Sequence, residues 1–363
     1  MKTLSIPAPM IVSIAKASAE HPRQSEAAVV ERRDGSLLIA WQEYLASDLM
    51  GEDNAPNRIA RMVSHDDGMT WTDGQVLIAT PPNSVNVYSP SFVRMNNGDL
   101  LLSYFQYDVS GANVAPRTTC HLLKSTDDGN TFVPFSTAWQ NKADGSASST
   151  TRLLSSGRMV LPVSRQTGAD WSPSDHGIGG CYYSDDGGRS WSESKDWIDL
   201  PLRGVMEPHV AELADGGLLM VMRTQLGSIF RSLSADGGVT WSKPQTTGLR
   251  SPESCPELVR VPNTRDLLIV WNDSPYDPTW ASHYGRRSPL TVALSRDNGV
   301  TWSNVKNIAC DPNRAYSNPA CTITSTGKVI LTYWELAYKP DGRMSVDFTD
   351  LNAAIIDLEW IYS

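Results

Sequence analysis

Cysteine is scarce in this chain of 363 residues, with Cys120, Cys181, Cys255, Cys310 and Cys321 the only five. An odd number of widely separated thiols excludes a disulfide framework, and no close Cys/His pairs stand at zinc-ligand spacing. They read as buried free thiols. The six histidines are also without metal-ligand spacing, so neither a metal nor a cofactor is expected. Long apolar runs are missing, and none approaches the ~18 residues of a membrane helix. Near the N-terminus, Lys2, an apolar stretch and Ala17-Ser18-Ala19 imitate a secretory leader, but Pro7, Pro9 and Lys16 interrupt the stretch. It reads as a first strand. The cytoplasm is the expected location, with secretion or the periplasm as the alternative. Basic excess is missing as well. A formal charge of −9 argues against nucleic acid, whose phosphates need a basic footprint, and gives no reason to expect an anionic membrane surface. An anionic ligand would require clustered arginines acting against the global field.

Sustained helical periodicity is lacking too, and what is present is turn chemistry. The 26 glycines and 23 prolines are spread along the chain, which suits many short strands joined by many turns. The pattern Ser-x-Asp-x-Gly-x-Thr/Ser-aromatic occurs five times, running Ser64 to Trp71, Ser125 to Phe132, Ser184 to Trp191, Ser234 to Trp241 and Ser295 to Trp302. In such a loop the Asp accepts hydrogen bonds from its own turn. The Gly supplies a backbone conformation that other residues avoid, and the aromatic ring tucks under the next strand. A second pattern, a turn ending in Gly followed by an apolar strand, keeps the same period at Gly35, Gly98, Gly157, Gly217 and Gly327, with a looser version at Thr264-Arg265-Asp266. Six strand units of about 50 to 60 residues are the size of four-stranded blades, and radial repetition of blades gives a propeller. The expected fold is all-β, one six-bladed propeller domain over residues 1–363. No low-complexity linker divides the chain.

The five boxes resemble the Asp-boxes, or BNR repeats, of the sialidase superfamily, and the resemblance runs from about residue 20 to about residue 350. The box also decorates non-enzymatic propellers, so no box residue is assigned to the active site. The resemblance implies an exo-acting retaining glycoside hydrolase that releases a terminal acidic sugar, sialic acid first, from a glycan. It also implies the parts of a site: three arginines for the carboxylate, a Tyr nucleophile activated by a Glu, and an Asp acid/base. A neutral phenol is not repelled by the substrate's own carboxylate.

By that resemblance, Met206-Glu207-Pro208 and Met222-Arg223-Thr224 supply the Glu and one carboxylate-binding Arg on adjacent strands. Ala315-Tyr316-Ser317 resembles the nucleophile segment, which makes Tyr316 the nucleophile. Arg287, with Arg286 as the alternative, stands where a further Arg is wanted. In blade one the family's aromatic-Arg-Ile-Pro segment is absent. Arg23 takes its place with Glu26 beside it, and a carboxylate there favours a different substrate group. Asp53, or else Asp48, matches the acid/base. Tyr88, Trp41, Gln42 and Tyr44 are candidates to line the pocket. The bland reading of each remains available: Glu207 as an exposed strand-start carboxylate, Tyr316 as packing, and Arg286–Arg287 as a solvated pair. Two rival functions share these residues. One is a related enzyme of altered specificity, another glycosidase or a uronate lyase. The other is a propeller that binds glycan or protein without catalysis. Contact between Glu207 and Tyr316 separates the enzyme from the binding module.

Overall fold

The computed structural model describes residues 6–49, 51–108, 117–168, 176–345 and 347–363. Six antiparallel sheets follow one another along the chain. In blade 1 the strands run Gln24–Glu31, Leu37–Tyr44, Asn57–Ser64 and Gln75–Ala79, from inner to outer. Blade 2 is Ser84–Arg94, Leu100–Asp108, Arg117–Ser125 and Val133–Lys142. Blade 3 has a broken inner strand, Asp144–Gly145 and Arg152–Leu153, both paired with Met159–Gln166, then Gly177–Ser184 and Ser192–Glu193. Blade 4 is Met206–Glu212, Leu218–Arg223, Ser228–Ser234 and Gln245–Arg250. Blade 5 is Glu257–Arg260, Leu267–Asn272, Leu290–Ser295 and Ser303–Ala309. Blade 6 begins with Arg314–Ile323, Lys328–Ala337 and Asp350–Asp357. Its outer strand is Met10–Ala15, which pairs antiparallel with Asp350–Asp357. The N-terminal stretch is therefore a strand, but one that completes the last blade and joins the two ends of the chain.

Alternation explains why the second strand of each blade carries an apolar run, such as residues 37–41 and 218–222. Side chains of successive residues leave opposite faces of a strand, and here both faces meet a neighbouring blade. Leu218, Met220 and Met222 pack against Val160 and Cys181 of blade 3. Leu219 and Val221, between them in sequence, pack against Leu258, Ile269 and Trp271 of blade 5. Equivalent clusters lie between blades 1 and 2, 2 and 3, 5 and 6, and 6 and 1. Burying one Leu or Val side chain contributes about 1.5–3 kcal/mol, so these clusters hold the ring together.

The boxes staple the turns between third and outer strands. Asp66 accepts from the Thr70 amide at 2.8 Å and from its hydroxyl at 2.6 Å, while Ser64 Oγ accepts from the Gly68 amide at 2.9 Å. The same Asp-to-hydroxyl bond measures 2.6 Å at Asp127, Asp186, Asp236 and Asp297. Each box aromatic reaches an inter-blade cluster, as Trp241 and Trp302 do. All five turns sit at the end of a third strand, which is the face opposite the starts of the inner strands.

Candidate active site

The starts of first and third strands and the ends of second strands share one face of an antiparallel blade. Arg23 and Glu26 begin blade 1, Glu207 begins blade 4, Arg223 ends the second strand of blade 4, and Arg287 immediately precedes the third strand of blade 5. Asp53 lies in the loop joining second and third strands of blade 1. The candidate residues thus gather on the face away from the boxes.

Four inner strands share a local device that aims side chains inward. The pairing register shifts between Ser25 and Ala27, Tyr88 and Ser91, Met206 and His209, and Ser317 and Ala320. Within each bulge one residue adopts left-handed backbone: Glu26 at φ 46°, Ser89 at 51°, Glu207 at 41° and Asn318 at 46°. A non-glycine residue held this way costs about 1–3 kcal/mol, and bulges of this kind re-aim a side chain beside an active site.

Glu26 ties these strands together. Its Oε2 accepts from Ser89 Oγ at 3.1 Å and Ser148 Oγ at 3.3 Å, and its Oε1 accepts from Asn318 Nδ2 at 2.8 Å. Withdrawal from water, and next the charge of Glu207, push its carboxyl up to about 7. Glu207 has the opposite environment. Arg223 Nη1 donates to its Oε2 at 2.6 Å. The carboxyl is partly shielded from water, which pushes it up, but the Arg223 guanidinium outweighs this and holds it below the usual carboxylate range. Two neighbouring carboxylates whose affinities for protons are driven apart are the signature of an acid and a charged partner.

The cations form a second group. Arg223 Nη2 donates to Glu253 Oε1 at 2.7 Å. Arg287 Nη1 donates to Ser317 Oγ at 2.9 Å and Nη2 to the Glu253 carbonyl at 3.1 Å. Arg287 is 3 % exposed and, among the described residues, has no ion pair. Burial and then repulsion by Arg223 lower its guanidinium to about 10. Arg286 instead lies over the Trp280 ring, 4.3 Å from its centre. Arg23 is paired with Asp53 at 2.8 Å and stacked over Tyr44 and Trp334, 4.6 and 5.5 Å from the ring centres. Asp53, with a side chain 77 % exposed, therefore begins as the partner of Arg23. Asp48 has no ion pair with Arg23.

Among the described residues Tyr316 makes no hydrogen bond to Glu207, the contact expected of a nucleophile and its base. Its ring is in the apolar cluster between blades 5 and 6, edge-on to Tyr333 with centres 5.7 Å apart. Its hydroxyl accepts from the Asp311 amide at 3.2 Å. Withdrawal from water is the largest influence on it and pushes it up to about 12. In the bulge that follows, Asn318 reaches Glu26. What Tyr316 does supply is main chain, since its amide donates to the Arg287 carbonyl at 2.8 Å. Three of the expected pocket-lining residues also prove to be framework. Trp41 donates to Gln24 Oε1 at 2.7 Å within the core, Gln42 Oε1 accepts from the buried Ser25 hydroxyl, and Tyr88 packs edge-on to Phe105. Tyr44 lies beneath Arg23. Arg203, Glu253 and Asn318 were not singled out in the sequence, yet they sit among the site residues. A periodic signal existed for one of them: Arg203 stands just ahead of Glu207, as Arg23 stands just ahead of Glu26.

The family profile of the BNR repeat-like domain matches residues 35–331. No curated protein matches the sequence. Among solved structures, a protein of unknown function from Dyadobacter fermentans is similar at TM-score 0.71 and 14% identity, over 96% of this chain and 99% of that one. The Hadza microbial sialidase Hz136 is similar at 0.70 and 20%, over 96% of this chain and 68% of that one. A leech intramolecular trans-sialidase complexed with 2,7-anhydro-Neu5Ac is similar at 0.69 and 12%, over 97% and 70%. At these identities the likeness is one of fold.

Proposed function

Since the chain belongs to the BNR repeat-like domain family, we propose that it is a glycoside hydrolase that removes a terminal acidic sugar from a glycan, sialic acid being the first case to test. The observation that carries this reading is Arg287, a buried guanidinium without a carboxylate of its own, beside Arg223 and the pair Glu26–Glu207. A buried cation of this kind is satisfied by a ligand anion, and Arg binds a carboxylate through two parallel hydrogen bonds. The sialidases among the structural neighbours support the choice of sugar by analogy of fold.

In this reading Arg223 and Arg287 hold the sugar carboxylate. Glu26, whose raised proton affinity keeps a share of it protonated at neutral pH, gives its proton to the glycosidic oxygen as the bond to the anomeric carbon breaks. Glu207, kept ionised by Arg223, stabilises the positive charge that develops on the sugar ring. Water then adds to the anomeric carbon and returns a proton to Glu26. Tyr316 has no part in the reaction.

The test is a panel of aryl glycosides of sialic acid, uronic acids and matched neutral sugars. Release of aryl alcohol from an acidic member, with the neutral counterparts inert, supports the proposal. Equal turnover of neutral glycosides overturns it, and an unsaturated uronate product replaces hydrolysis with elimination. Among the described residues no tyrosine hydrogen-bonds Glu207, which favours a second reading, a propeller that binds an acidic glycan without cleaving it. That reading predicts saturable binding with no turnover anywhere on the panel.

A further inference from the structure

We infer that Arg203, rather than Arg23, completes the anion-binding group with Arg223 and Arg287, and that these three take the carboxylate or sulfate of an acidic sugar around Glu253. The inference rests on the acidic-sugar reading and reassigns one of its three cations.

Glu253 is the hub. Its side chain is 1% exposed. Arg203 Nη1 and Arg223 Nη2 both donate to Oε1, at 2.5 and 2.7 Å. Gln225 Nε2 occupies Oε2 at 2.7 Å, and the Glu253 carbonyl accepts from Arg287 Nη2 at 3.1 Å. Two guanidinium groups on one oxygen are necessarily close, and the third hydrogen-bonds the same residue. Glu207 adds one more carboxylate, on Arg223 alone. Three cations thus share two anions, with Arg223 and Arg287 buried and Arg203 reaching the surface at 20% side-chain exposure.

Unmet donors mark the same three residues. The Nε–H groups of Arg203, Arg223 and Arg287 are each buried without a partner among the described residues. A buried donor left unpaired costs about 1–3 kcal/mol, and a ligand with two or three charged oxygens relieves several at once. The neighbouring imidazole of His283 reports the crowding. Burial, then Arg287, Arg223 and Arg203 in that order, hold it well below its ordinary range, so it stays neutral.

Arg203 is held rigidly enough to serve. Its carbonyl accepts from the Gly177 amide at 3.0 Å, and the Val205 amide donates to the Gly177 carbonyl at 2.8 Å. Gly204, at φ 70°, lies so close that a Cβ there would stand 2.0 Å from the Gly177 oxygen. The turn that presents Arg203 therefore requires glycine. Arg23 differs in its surroundings. Although its Nε is also unpartnered, it has Asp53 to itself, and the rings of Tyr44 and Trp334 flank it. A ligand anion at Arg23 would displace a carboxylate that serves Arg23 alone, whereas Glu253 is shared by Arg203 and Arg223 and leaves part of their charge unmet.

The experiment is calorimetric titration of the full chain with sialic acid, glucuronate, a galactose sulfate and neutral galactose. It is carried out on wild type, Arg203→Gln, Arg203→Lys and Arg23→Gln, each checked for an unchanged melting curve. Wild type is expected to bind at least one acidic sugar and not the neutral one, and the sugar that binds separates carboxylate from sulfate. Arg203→Gln should weaken that binding about tenfold or more, as removal of a charge-assisted pair does. Lys at this position should recover part of it, and Arg23→Gln should change it less than about threefold. If Arg203→Gln binds like wild type, or Arg23→Gln loses as much, the assignment to Arg203 is overturned while the acidic-sugar reading stands. If wild type binds none of the acidic sugars, the acidic-sugar reading fails and the inference with it.

Discussion

Glu26 and Glu207 occupy equivalent places three blades apart, each on a left-handed bulge of its inner strand, at φ 46° and 41°. Each perturbs its surroundings differently. Glu207 raises the proton affinity of Glu26, and Arg223 lowers that of Glu207. The pairing gives the chemistry a direction, with the proton donor on blade 1 and the charge on blade 4.

The first prediction concerns the rate. Glu26 must be protonated to act as an acid, and its carboxyl is pushed up to about 7. kcat/KM on an acidic-sugar glycoside should therefore fall as pH rises through about 7. Its acid limb should lie below the usual carboxylate range, where Glu207 loses its charge. Glu26→Gln should remove roughly 10²–10⁴-fold of the rate and abolish the basic limb for substrates with poor leaving groups. A basic limb that persists in Glu26→Gln would assign it to another group.

The same group predicts a stability trend. Glu26 binds its proton more tightly folded than unfolded, so between the ordinary carboxylate range and about 7 the native state holds more protons. The contribution of Glu26 to stability must therefore fall as pH rises across that window. Glu26→Gln has no such proton to lose. The difference in urea midpoint between Glu26→Gln and wild type should therefore grow in favour of the variant from pH 4.5 to 7. A difference that is flat with pH would refute the shift.

Tyr316→Phe should turn over at close to the wild-type rate. The hydroxyl only accepts from the Asp311 amide, so its loss costs stability, about 0.5–1.5 kcal/mol, and not catalysis. Steady-state kinetics on the best panel substrate decides this. Near-complete inactivation would restore the tyrosine as a nucleophile.

The boxes should matter for stability alone. A Cβ at Gly299 would stand 2.4 Å from Leu219 Cδ2, and its φ of 79° disfavours any side chain. Gly299→Ala should destabilise by about 1–3 kcal/mol in a urea melt, with unchanged activity per folded molecule. Lost activity in a fully folded variant would give the boxes a role in the site.

These outcomes reflect what was legible in the sequence. The boxes and glycine turns are local, so their chemistry shows in a few consecutive residues, and the blade count follows from their period. The Glu207–Arg223 pair lies on adjacent strands of one hairpin and was reached through the resemblance to the sialidase superfamily, whose motif is local there. Tyr316 was not, because facing along a strand depends on an unbroken period of two. The bulge between Ser317 and Ala320 breaks it, and Asn318 within it reaches Glu26. Glu253 and Arg203 lie outside named strands, in connections whose path no periodicity describes. The outer strand Met10–Ala15 occurs once, so nothing in the repeat indicated that it would pair with Asp350–Asp357.

The central claim is that an acidic sugar sits between these carboxylates with its anion on the arginines, and a crystal structure of the Glu26→Gln chain with a bound acidic-sugar glycoside tests it most directly. The account predicts the sugar's anionic group within hydrogen-bond reach of Arg223 and Arg287, and the glycosidic oxygen facing residue 26. A sugar bound elsewhere, or one whose anionic group turns to solvent while a neutral face meets the arginines, would contradict it.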